Sequence, residues 1–158
     1  MADFVTQRDI GAIVRVGTTP TFSAITAGSN SGTAVTSAGV DRLDPSTGSL
    51  AGSCKFALAY STVLGATHTL AIGAVVVNTA PDNATWSTFG TFTAPGTLAT
   101  GPSGGGTLTG ASALDIGDLE MASRYLQFVY TPTLSATSVD TAEIAAVTVL
   151  GGYDRLAV

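Results

Sequence analysis

The chain has 158 residues, a net charge of −5 and a pI near 4.4, and only 11% of its residues are charged, where an ordinary soluble domain carries about a quarter. Its six basic residues, Arg8, Arg15, Arg42, Lys55, Arg124 and Arg155, are scattered, which argues against direct binding to nucleic acid, because such binding draws on grouped Lys and Arg facing phosphates. The lone Cys54 excludes an intrachain disulfide, and the longest apolar run, Leu70 to Val77 with Gly73 inside it, falls far short of the roughly 20 residues of a membrane-spanning helix.

Residues 1–12 combine charge with Phe4, Val5 and Ile10 and show no internal period. They read as an N-terminal arm that frays or docks on a neighbour, ahead of one domain over residues 13–158. Asp3, and the lack of a basic stretch leading into an apolar one, predict no secretory leader and cytoplasmic synthesis. Weak strand candidates follow at 10–16, 21–26 and 33–42. The clearest strand is 53–61, where Cys54, Phe56, Leu58 and Tyr60 share one face and Ser53, Lys55, Ala57, Ala59 and Ser61 the other, a period of two. Residues 69–77, nearly all apolar, predict a central strand covered on both faces, with a bulge at Gly73.

Pro81-Asp82-Asn83 carries turn chemistry and leads into a strand over 85–92 with an irregularity at Gly90. The segment 101–106 reads as a flexible loop before a strand over 107–116. At most one helical turn is expected, near 118–122. Residues 124–131 and 143–150 are strong strands, joined by a polar link over 132–140. Eight to ten strands at this spacing predict an all-β, single-domain, two-sheet β-sandwich. Gly39-Val40-Asp41-Arg42-Leu43 is echoed by Gly152-Tyr153-Asp154-Arg155-Leu156, a length that chance supplies in so biased a composition. Taken as structure, the echo would set an Asp-Arg pair at a rim twice over.

Titratable groups suited to catalysis are few. His68, the single histidine, precedes a strand and reads as a satisfied or solvent-facing turn residue, with no Gly-x-Ser-x-Gly elbow to supply a triad nucleophile. Cys54 shares a face with Phe56 and Leu58 and reads as a small buried hydrophobe. Asp115, Asp118 and Glu120 form the one acidic cluster, too sparse for a calcium loop. The glycines at 101–106 lack the Gly-Lys-Ser/Thr of a phosphate loop. Trp86, Phe89 and Phe92 suit either a sugar-stacking platform or core packing. No enzyme, metal or cofactor is expected from these residues.

Three stretches carry a resemblance: the turn Asp82-Asn83-Ala84-Thr85-Trp86, the strand Ala122-Ser123-Arg124-Tyr125-Leu126-Gln127-Phe128, and the closing Ala145-Ala146-Val147-Thr148-Val149-Leu150-Gly151-Gly152-Tyr153-Asp154-Arg155-Leu156. Over residues 54–156 the chain resembles small capsid cement, or decoration, proteins from the head-gene region of tailed bacteriophages. In those, an Asp-Gly-Ser-Thr-Phe-like turn, an Arg-Tyr-Val-Arg strand and a terminal Val-Leu-Gly-Gly recur. Gln127 departs from the pattern, standing where a second arginine is common. The resemblance implies a jelly-roll-like sandwich on the capsid exterior, made in the host cytoplasm, partnered by the major capsid protein and other copies of itself. It implies no cofactor, no membrane and no catalytic residues. Candidate interface residues are Phe4, Val5, Arg8 and Ile10 in the arm, with Arg42 and Arg155 in the two echoed segments. A tail or fibre component, and a carbohydrate-binding module of the galactose-binding-like kind, which the same stretches also resemble, are the alternatives.

Overall fold

A computed structural model of the chain describes residues 14–17, 21–45, 48–93, 95–136 and 138–153. Among these residues there is no helix, and the strands are β1 (Arg15–Val16), β2 (Thr21–Thr26), β3 (Val35–Thr36), β4 (Val40–Asp41), β5 (Ala51–Leu64), β6 (Thr69–Ile72), β7 (Val75–Ala80), β8 (Ser87–Phe92), β9 (Gly96–Thr100), β10 (Gly106–Ile116), β11 (Tyr125–Tyr130), β12 (Pro132–Leu134) and β13 (Thr141–Tyr153).

Every pairing between these strands is antiparallel. In the first sheet β1 and β2 lie along successive stretches of β13, which pairs with β5, which pairs with β10. In the second, β3 and β4 lie along β11, followed by β7 and β8, while β12, β6 and β9 form a short third sheet. The third sheet continues the second. β6 gives way to β7 at Gly73-Ala74, β11 to β12 at Thr131, and β8 to β9 around Pro95, so three neighbouring ribbons break at one level. Pro95 and Pro132 have no N–H to donate there, and the Gly73 N–H, at 3.0 Å from the Thr131 carbonyl, carries the ladder across. Counted as ribbons along the chain, the two layers run 1-8-3-6 and 2-7-4-5, the strand order of a jelly roll.

The two layers enclose one core. Phe56 on β5 stacks on Phe128 of β11 with centroids 4.8 Å apart, and Tyr130 of β11 leans on the Phe56 ring at 5.5 Å. Leu58, Ile144 and Leu150 from the first layer meet Leu70, Ile72 and Leu126 from the second, all essentially inaccessible. The alternation expected over 53–61 is this inward row, with Tyr60 at its half-buried end.

Several expectations change. The predicted strand over 69–77 is two strands, covered on one face only: Val75 and Val77 are buried while Ala71, Val76 and Asn78 are half-exposed. The irregularity expected at Gly90 falls one residue earlier, where Gly90 pairs with Val77 and Thr88 with Asn78, leaving Phe89 unpaired. The segment at 101–105 is a loop, as expected, fastened by hydrogen bonds from the Gly101 N–H to the His68 carbonyl, the Gly105 N–H to that of Pro102, and the Thr67 N–H to that of Gly101. Near 118–122, where at most one helical turn was expected, the chain agrees with that limit, making a turn closed by the Ala122 N–H on the Leu119 carbonyl. β12 sits where a polar link was expected, and β9 lies in a stretch for which no element was predicted.

Candidate contact face

Strand alternation sends every second residue of the first sheet outward, and the registers stack these into rows across four strands. One row reads Phe22, Ala145, Ala59, Ala111, and beside it lie Val147, Ala57 and Ala113. Next come Ala24, Glu143, Ser61 and Thr109, then Thr26, Thr141, Val63 and Thr107. At the opposite end the row is Val16, Val149, Lys55 and Asp115. The middle of the sheet is thus paved with alanine and valine, and charges lie only toward the ends, as Glu143 and a Lys55–Asp115 ion pair at 3.0 Å.

This face is not covered by any other part of the described chain. Phe22 stands 74% exposed at one margin, and Val16 and Val63 are also largely open. Between Phe22 and the alanines of β10 runs a shallow trough of about 520 Å³ lined almost wholly by apolar atoms. A contiguous apolar surface left open among the described residues makes this face the candidate contact surface. Beside the face, β10, eleven residues long, has β5 as its sole strand partner among the described residues, which leaves its other edge unpaired among them.

Other candidates resolve into fastenings. His68 Nδ1 lies 3.0 Å from the Asp140 carboxylate, which is buried and also accepts the Gly65 N–H at 2.9 Å. The pair ties the 65–68 turn to the start of β13. Cys54 is buried, and that burial pushes its thiol up to about 12, the opposite of the exposed, electropositive setting that activates a cysteine. Asp115 turns to Lys55, and Asp118 accepts the Glu120 N–H. Among the described residues no three His, Cys, Asp or Glu side chains converge as a metal site would require. Phe89 and Phe92 pack against the core, whereas Trp86 lies half-exposed near Gly39.

Arg42, expected at a contact surface, lies inside the protein. Its guanidinium donates to the carbonyls of Ala51, Ala122 and Ser123, and it is 2% exposed. The rim acid beside it, Asp41, is instead gripped by Arg124 through two hydrogen bonds of 3.0 and 2.7 Å. Phe4, Val5, Arg8, Ile10 and Arg155 lie outside the described residues. Sequence reasoning missed the alanine face. Its signal was there, in outward positions of β5, β10 and β13 occupied by Ala and Val instead of charges, but only the registers bring them together.

No family model matches the sequence, and no curated protein matches it either. Among solved structures, the chain is similar to the PBSX exported protein XepA, at 16% identity and a TM-score of 0.38, with 92% of this chain covered and 39% of that one. It is also similar to a chain of the cowpea mosaic virus top component, naturally occurring empty particles, at 12% identity and a TM-score of 0.30, covering 91% of this chain and 90% of that one. The chain spans about two fifths of the first. At these scores neither likeness identifies the protein.

Proposed function

We propose that this chain is a structural protein of a virion, acting by surface contact, and that its place is on the head of a tailed phage as a cement protein bridging major capsid subunits. The observation that carries the reading is the open apolar face of the first sheet, a surface suited to burial in an assembly. The jelly roll, an architecture that viral capsid domains share with lectins and cupins, is compatible with it as fold-level analogy only. The sparse charge fits as well, because many copies with modest individual contacts hold a shell through avidity.

The test is to purify particles from a phage carrying this gene and from one lacking it, and to compare their composition and cryo-electron microscopy maps. Stoichiometric presence with extra density on the outer head surface, and heads that open at lower temperature when the gene is deleted, support the cement reading. Density on the tail would replace it with a tail or fibre role, and absence from particles would end the virion reading. The half-exposed Trp86 beside Gly39 is the one feature favouring a glycan-binding module. Saturable glycan binding abolished by Trp86→Ala would favour that alternative.

A further inference from the structure

We infer that the occupant of the alanine-paved face is a second copy of this chain, seated face to face about a twofold axis that runs along the strands between β13 and β5. The inference rests on the contact reading above and names the partner at that surface. A twofold interface is self-complementary, so each residue meets its counterpart twice. In the row Phe22, Ala145, Ala59, Ala111, this axis lays Phe22 of one copy over Ala111 of the other and Ala145 over Ala59. The one large exposed side chain of the row therefore enters the shallow end of the opposing trough, and large meets small at both ends.

The charges agree with this pairing. Glu143 on β13 comes opposite Ser61 on β5, its neighbour in the same row, so the two acids do not face each other. The Lys55–Asp115 pair is already internally neutralised and falls at the rim, where polar residues of an interface belong. The size is sufficient. Four strands at about 4.8 Å spacing and some nine residues at about 3.3 Å give a footprint near 500 Å² per copy, or about 1,000 Å² for the pair, where specific interfaces begin.

Sedimentation equilibrium of the full chain, from about 1 to 200 µM, tests the inference through a charge exchange. Wild type is expected as a dimer dissociating toward 15.7 kDa on dilution. Phe22→Lys and Ala111→Glu, both at exposed strand positions, are each expected to remain monomeric. Their equimolar mixture is expected to dimerise again, because one contact becomes Lys opposite Glu and the other stays Phe opposite Ala. A chain monomeric throughout the range overturns the inference, as does dimerisation unaffected by either variant. Should a charged variant fail to fold, mixing Phe22→Cys with Ala111→Cys serves instead. Within one copy these positions are three strands, roughly 14 Å, apart, whereas across the interface they face each other at about 10 Å, beyond a direct disulfide, so a cross-link between copies by a thiol-specific bifunctional reagent of about that span supports the geometry and its absence opposes it. A monomeric wild type whose binding to purified particles is lost in Phe22→Lys overturns the second copy as occupant while leaving the contact reading intact.

Discussion

Arg42 shows how one side chain can be charged in sequence and structural in fact. Its guanidinium holds three carbonyls, one from Ala51 and two from the 122–123 turn, and burial lowers its pKa without bringing it near neutrality. Replacing it by methionine keeps the volume and strands three buried acceptors, each worth about 1 kcal/mol or more. We expect Arg42→Met to lose about 3 kcal/mol in chemical denaturation, and Arg42→Lys to recover little because an ammonium cannot fork to the same carbonyls. Asp41 behaves oppositely, at the rim. Hydrogen bonds from Arg124 hold its carboxyl below the ordinary value despite some burial that opposes them. Its folded pKa is lowered, so its contribution is fully present above the unfolded value of about 3.9 and is lost as pH falls through the folded one. The melting-temperature gap between wild type and Asp41→Asn should therefore stay constant from about pH 5 to 8 and close below about pH 4.

At the scale of the element, glycine reverses its usual effect in β10. Interior glycine ordinarily weakens a strand, yet a Cβ at Gly110 would lie 2.4 Å from the Tyr60 hydroxyl. The Tyr60 ring lies against Gly110 and its hydroxyl donates to the Leu98 carbonyl at 2.6 Å, tying the first sheet to β9. Gly110→Val should destabilise by about 2–4 kcal/mol through overpacking and loss of that bond. A Tyr60→Leu background should remove most of the penalty, read as a coupling energy in a double-mutant cycle. The same elements show what the sequence could tell. Period-two alternation exposed β5, and long apolar runs exposed β11 and β13, because Phe, Leu and Ile mark a face clearly. β9 hid because Leu98 is its one large side chain and Pro95-Gly96 at its start resembles a turn, and β12 because it is three residues long and starts with proline. The contact face hid for a related reason: alanine is too small to signal which side of a strand it faces, and Phe22 sits in a weakly patterned strand. The burial of Arg42 depends on carbonyls 80 and 81 residues away, which no local pattern reports.

For the whole molecule, the ordering of strands sets how it must fold. β13 near the C-terminus is the hub of the first sheet, pairing with β5 over nearly its full length and with β1 and β2 on its other side. It also supplies Ala142, Ile144, Ala146 and Leu150 to the core. Neither layer can therefore close from local hairpins, and loop closure between distant segments must come before most of the stabilising contacts form. Refolding followed by the fluorescence of Trp86, the single tryptophan, should occur in about milliseconds to seconds, as for other non-local β topologies. A microsecond phase carrying the full amplitude would contradict this account. Until β13 docks, the edge of β5 that it covers is open to other chains. Refolding yield should accordingly fall as protein concentration rises, and a chain ending at residue 140 should give no cooperative unfolding transition. The variant Phe22→Lys separates the two kinds of association, because its outward position leaves the unfinished sheet as sticky as before. It should lose the dimer of the native state yet show the same concentration-dependent loss on refolding, so that sedimentation and refolding yield on one protein report two different surfaces.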